Sequence, residues 1–212
     1  MDIQIIPSIL ELTKEKFDLR YEAINPHVSV AQLDVMDGSF LPNINFHDPE
    51  YIDNLEPQMK FEVHFMINNV AEILDQWNYQ WVEKVIFHIE ANDDPVSLIY
   101  KIKAMGKKAG AAINPETPTD QIKELVGQVD TALVMTVNPG INGAPFVPET
   151  IEKVKELRDL NSEVNIEVDG AMSPQTIKLA VDAGANLIVS GGFIKNNAVK
   201  ESLEQLKKAI AR

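Results

Sequence analysis

Short apolar runs recur along the chain at fairly even intervals: Ile3–Ile6, Val28–Val35, Phe61–His64, Lys84–His88, Lys108–Ala112, Thr131–Thr136, Asn165–Asp169 and Leu187–Ser190. Each has the length of a strand and is nearly continuous rather than alternating, the pattern of a parallel strand covered on both faces. Most intervals between them carry a helical pattern. Asp94-Pro95 offers an N-cap and then Pro at the first helical position; the stripe Leu98, Ile99, Ile102 and Met105 follows, and Gly106 stops it. Ser173-Pro174 repeats the device ahead of Ile177, Ala180 and Val181, with Gly184 as the stop. A last helix carries Val199, Leu203, Leu206 and Ile210. Eight strands alternating with helices in 212 residues predict an α/β fold, a (β/α)8 TIM barrel forming a single domain over residues 1–212. An open doubly wound sheet would normally need fewer strands.

Composition narrows the setting. With 45% hydrophobic residues the chain can fill a core, and no linker or low-complexity tract divides it. No cysteine is present, which removes disulfides and thiolate nucleophiles and fits a reducing compartment. The start, Met1-Asp2-Ile3-Gln4, lacks the basic-then-apolar order of a signal peptide, and no apolar stretch approaches the ~20 residues of a membrane span. A cytoplasmic protein is expected. The net charge of −13 argues against nucleic acid and anionic membranes as partners. It leaves room for a small phosphorylated ligand, because backbone N–H groups can hold phosphate. The sequence leaves homo-oligomerisation open.

The chemistry gathers at strand ends. Asp34 lies near the end of the second run, His64 ends the third, Asp169 ends the seventh, and Ser8 follows the first. In a barrel of this kind those ends share one rim. Two opposed carboxylates suit a two-base inversion, in which one group removes a proton from carbon and the other returns one to the opposite face. The carbon must be acidified by an adjacent carbonyl, whose developing oxyanion a divalent metal could stabilise. Val137-Asn138-Pro139-Gly140-Ile141-Asn142-Gly143-Ala144 follows strand six and Gly191-Gly192 follows strand eight; both allow backbone N–H groups to turn inward near the usual barrel phosphate site. Met36, Met66 and Met135 stand at strand ends, where filling gaps in the core is the plainer role. His88 reads as a structural histidine, and His27 and His47 lie in loop-like stretches without a role.

At these residues the chain resembles the ribulose-phosphate 3-epimerase family over nearly its whole length. Pro7-Ser8-Ile9-Leu10, Asp34-Val35-Met36-Asp37-Gly38 with Phe40, Pro42 and Asn43, and Val63-His64 with Met66 carry the likeness. They are followed in order by Val134–Gly140, Glu167-Val168-Asp169-Gly170 and Val189-Ser190-Gly191. The resemblance implies a metal-binding isomerase of carbohydrate metabolism, in the pentose phosphate pathway. It would interconvert D-ribulose 5-phosphate and D-xylulose 5-phosphate through an enediolate. Asp34 and Asp169 would be the paired acid and base at C3. Asp34, His64 and Asp169 would hold one divalent ion: zinc, manganese, magnesium or iron. Ser8 and His64 would touch the sugar; Gly140, Ile141, Asn142, Gly143, Gly170, Ala171, Gly191 and Gly192 would surround the phosphate, and the three methionines would wall the pocket.

Three residues depart from the family pattern. Gln32 stands where a fourth, histidine metal ligand is usual, and a neutral amide oxygen is a poorer zinc ligand than imidazole. Ala171 replaces a second glycine, and Gly192 stands where serine is common. These changes leave two alternatives to a pentulose epimerase: an epimerase of a related ketose such as a hexulose 6-phosphate, or a non-catalytic sugar-phosphate-binding barrel. Related lyases tend to carry a lysine where this chain has Met36.

Overall fold

Eight parallel strands close on themselves in chain order: β1 Gln4–Ile9, β2 Val30–Val35, β3 Lys60–Phe65, β4 Val82–His88, β5 Lys108–Ile113, β6 Thr131–Met135, β7 Asn165–Asp169 and β8 Leu187–Ser190. The last pairs with the first. The computed structural model describes residues 2–91, 93–140 and 143–211. Helices α1 Lys14–Ile24, α2 Pro49–Asp53, α3 Val70–Ile73, α4 Pro95–Ala104, α5 Thr150–Leu160, α6 Ile177–Ala183 and α7 Val199–Ile210 fill most crossovers. Between β5 and β6 the described residues form only a 3-10 turn at Thr119–Gln121. The architecture is a (β/α)8 barrel with that one helix reduced.

Strand ends shift by a residue or more from the apolar runs, and two differences bear on the site and its supports. β1 runs through Pro7 to Ile9, so Ser8 lies within the strand rather than after it. Pro7 removes one N–H, yet Pro7 still pairs with Ser190 and Ser8 with Gln32; the sheet tolerates the missing donor near a strand end. Helix α6 starts at Ile177, and Ser173 to Thr176 form a tighter turn in which the Ser173 carbonyl accepts the Thr176 N–H at 3.1 Å. Asp94 caps α4 as expected, accepting from the Ser97 N–H at 2.9 Å.

Alternation along each strand explains the apolar runs. Outward residues such as Leu33, Val63, Phe65, Val85, Phe87, Val134 and Val168 pack against the helices in one large core. Inward residues fill the barrel. Ile86, Ala112, Leu133 and Met135 form one cluster, and Ile6, Leu187 and Val189 form another. Small residues on β5 make room for the first cluster: a Cβ at Gly110 would lie 2.8 Å from Ile86 Cγ1. The interior also holds charge. Lys84 Nζ donates to Glu62 and to Glu167, each at 2.7 Å, and all three are buried. Register places Gln32 beside Glu62 and Asp34 beside His64, so each acid at the rim stands two residues above a polar position in the floor.

Candidate active site

Each rim residue is presented by its strand and fixed from behind. Asp34 is held through its backbone: Asn45 donates from Nδ2 to the Asp34 carbonyl at 2.6 Å and accepts the Met36 N–H at 2.8 Å. Asp169 is held from the end of the preceding strand, β6: Thr136 donates its N–H to the Asp169 carbonyl at 2.7 Å and its hydroxyl to the Gly170 carbonyl at 2.6 Å. His64 is wholly buried. Its Nδ1 lies 3.0 Å from Asp34 Oδ1 and 3.6 Å from Asp169 Oδ2, while its Nε2 lies 2.9 Å from His88 Nε2. His88 Nδ1 continues the chain to Glu90 at 3.3 Å, and Glu90 accepts from the Asn114 N–H at 2.7 Å and from the Thr117 hydroxyl. His88, a satisfied structural histidine as the sequence suggests, is buried with both ring nitrogens partnered, and those partners join it to the site's hydrogen-bond network. Phe40 packs on its ring with centroids 5.0 Å apart.

Charge in this cluster is held against burial. Desolvation pushes Asp34 up to about 6, aided by the negative charge of Asp169 and opposed by hydrogen bonds from His64 and Gln32. Burial alone would lower His64, but the hydrogen bonds and charges of Asp169 and Asp34 outweigh it and raise it to about 10. His88 is lowered by burial, which the Glu90 carboxylate only partly offsets. A carboxyl near 6 beside a charged imidazole can exchange protons close to neutral pH.

Gln32 directs its Nε2 at both carboxylates, 2.9 Å from Asp34 Oδ1 and 2.7 Å from Asp169 Oδ2. Its Oε1 is buried without a partner. In this arrangement the amide is a donor that ties the two acids together rather than a ligand. Asp34, His64 and Asp169 nonetheless offer one ligand atom each, all within 4.8 Å of one another. Two carboxylate oxygens and an imidazole nitrogen are a donor set suited to a divalent ion.

The acids open into a cleft of about 630 Å³ lined by Ser8, Asp34, Asp169, Met66, Met135, Gly140, Gly143, Gly170, Ala171, Gly191 and Gly192, among others. Met36 is buried at the end of β2 and is not among the lining side chains. Ile141 and Asn142 lie outside the described residues. Gly170 and Ala171 both have positive φ, +121° and +51°, so at Ala171 a residue with a Cβ sits in the left-handed region that favours glycine. A Cβ at Gly170 would lie 2.5 Å from Val137 Cγ2, and one at Gly191 would lie 2.5 Å from Ser8 Oγ. Those two glycines let the loops after β6, β7 and β8 crowd the same end of the cleft. Arg20, on α1, also lines that cleft.

Residues 4–194 match the ribulose-phosphate 3-epimerase family. The chain belongs to that family. It is 35% identical to a ribulose-phosphate 3-epimerase of Eremothecium gossypii, over 88% of this chain and 84% of the relative. It is 37% identical to a relative from Oryza sativa subsp. japonica named as the cytoplasmic isoform of that enzyme, over 84% and 81%. Among solved structures, 3-keto-L-gulonate-6-phosphate decarboxylase from Vibrio cholerae superposes with a TM-score of 0.74 over 99% of this chain and 97% of that one, at 11% identity. That likeness carries the fold alone. Family membership makes this barrel an isomerase of the epimerase type. No helix among the described residues is long and apolar enough to cross a membrane.

Proposed function

We propose that this epimerase interconverts D-ribulose 5-phosphate and D-xylulose 5-phosphate through proton transfer at C3, with Asp34 and Asp169 as the two bases. The observation that carries this reading is the pair of acids itself. Both reach one cleft, and both are drawn to the same two nitrogens, Gln32 Nε2 and His64 Nδ1. A barrel that only bound sugar phosphate would have no use for two acids so placed, since crowding them disfavours ionisation. One aspartate takes the C3 proton, and the other delivers a proton to the opposite face. The His64 ring and the Gln32 amide act on the two acids rather than on the sugar: from behind the cleft they fix where each carboxylate points. Met66 and Met135 exclude water from the apolar side of the cleft.

A divalent ion held by Asp34, His64 and Asp169 would supply electrostatic stabilisation of the enediolate oxygens. With Gln32 turned to donate rather than to ligate, the set is left with two carboxylates and one imidazole, which favours magnesium or manganese over zinc and holds any ion loosely. Gln32→His should tighten zinc binding, read as metal content by mass spectrometry after dialysis against a chelator. Tightly bound stoichiometric zinc in the unaltered protein would contradict the weakened set. We place the enzyme in the cytoplasm, as its sequence leads us to expect.

The function is tested by incubating the protein with D-ribulose 5-phosphate in D₂O and following the sugar by NMR. D-Xylulose 5-phosphate carrying deuterium at C3 is expected, because the returning proton comes from an acid that exchanges with solvent. Epimerisation without C3 deuterium, or none at all with added Mn²⁺ or Mg²⁺, would overturn the two-base reading.

A further inference from the structure

Arg20 is a charged residue that the reaction scheme above does not use. It is only 5% exposed, and its guanidinium is surrounded by oxygens that carry no full charge. Nε donates to the Ser8 carbonyl at 3.0 Å; one terminal nitrogen donates to the Ile194 carbonyl and, at 2.9 Å, to Asn196 Oδ1; the other donates to the Gly191 carbonyl at 3.3 Å. Among the described residues no carboxylate lies within ion-pair distance of it. Burial pushes its pKa down, with only the more distant charge of Glu11 opposing that. An arginine stays ionised regardless. A buried charge without a counter-charge is costly, which directs attention to what occupies the space in front of it.

That space is the cleft. Arg20 lines it together with Gly191, Gly192, Phe193, Ile194 and Asn196. The guanidinium fork pulls two carbonyls of this loop, Gly191 and Ile194, towards α1. Between them, the N–H groups of Gly192 and Phe193 have no acceptor among the described residues. The Ala171 N–H across the cleft has none either. Unpaired donors on a loop whose carbonyls are turned away form a concavity for an anion. We infer that Arg20 is the counter-charge and the positioning residue of the phosphate site: its fork shapes the β8–α7 loop, and its charge is balanced by the substrate phosphate when the cleft is filled.

This inference rests on the sugar-phosphate reading of the cleft, and the test separates the two. Inorganic phosphate is the probe, titrated by calorimetry into the purified protein and used as a competitor in the epimerase assay. Arg20→Gln keeps an amide donor for the loop but removes the charge; it should weaken phosphate binding roughly 10- to 100-fold, with the catalytic loss falling on KM more than on kcat. Arg20→Lys keeps the charge and gives up the planar fork; it should stay within about tenfold of the unaltered protein. Thermal melting reports folding for each variant. Phosphate affinity unchanged in folded Arg20→Gln would overturn the inference. If Arg20→Gln does not fold, Arg20→Lys decides: phosphate binding weakened by more than about 100-fold in a folded protein would overturn the charge's part. An unaltered protein that binds phosphate through Arg20 but does not epimerise the sugar would sink the functional reading and leave this one standing.

Discussion

Removing the ammonium from the barrel floor should cost stability in a pH-dependent way. Lys84 Nζ lies 2.7 Å from Glu62 and 2.7 Å from Glu167, and the second oxygen of each carboxyl is buried without a partner. Burial, and then the neighbouring Glu62 charge, push Glu167 up to about 8 against the opposing pull of Lys84. Around neutral pH the carboxyl pair therefore holds one proton, and Lys84 balances the charge that remains. In Lys84→Met nothing balances it, and a buried carboxylate without a partner takes up a proton instead. Keeping that second carboxyl neutral costs about 1.4 kcal/mol per pH unit above the ordinary value of about 4.3, hence about 4 kcal/mol at pH 7 and about 1 kcal/mol at pH 5. The larger figure agrees with the roughly 3–5 kcal/mol typical of a broken buried ion pair. Urea unfolding followed by circular dichroism at both pH values measures it, each time against the unaltered protein. The raised pKa of Glu167 makes both proteins lose stability as pH rises from about 4.5 towards 8; losing Lys84 raises that group further, but at pH 5 and pH 7 it stays mostly protonated in both proteins and its contribution nearly cancels. The same loss at pH 5 and pH 7, or one below about 1 kcal/mol at pH 7, would refute the reasoning. Replacing the triad together (Glu62→Leu, Lys84→Met, Glu167→Leu) should recover most of the stability, since no buried charge is left behind.

Asp34→Asn and Asp169→Asn keep shape but lose the base, and each should lower kcat by about 10²–10⁴-fold; near-normal turnover in either would end its assignment. His64, raised to about 10, carries its proton through the neutral range and must release it before Nδ1 can ligate an ion. Metal affinity, measured by competition with a chelating dye, should therefore rise with pH by up to about tenfold per unit below that value; a flat profile between pH 6 and pH 8 would contradict the protonated state. Gly170→Ala would drive a Cβ to 2.5 Å from Val137 Cγ2 at a φ of +121°. Overpacking alone is worth about 1–3 kcal/mol, so a clear drop in melting temperature is expected, and an unchanged one would show that the loop yields freely.

The strands and the two acids were legible in the sequence because burial on both faces writes a continuous apolar run, and a carboxylate at the end of such a run stands out. Helices α4 and α7 were legible from spacing, with Asp94 and Gly106 marking the ends of the first. The β5–β6 crossover was not, for Ile122, Leu125, Val126 and Val129 are buried in a stretch that forms turns rather than an α-helix. The floor triad is hidden in the linear sequence because Glu62, Lys84 and Glu167 are far apart in the chain and meet only through strand register. The link from His88 to the site hides for the same reason: its partner His64 belongs to the neighbouring strand, and nothing within His88-Ile89-Glu90 announces it.

Arg20 shows most clearly what linear reading loses. A basic residue in a helix with acids around it looks like part of a solvated face, and a search for basic side chains within the glycine-rich loops finds none. The barrel closes β8 against β1, which brings α1 beside the loop that follows β8 and buries this one cation under it. A chain of net charge −13 would on balance repel a dianion. The sum does not decide binding, because screening confines exposed charges to a Debye length of about 8–10 Å, whereas a buried cation is screened much less, and Arg20 faces the cleft with only Glu11 opposing it beyond ion-pair distance. An acidic surface can thus surround a site built for phosphate.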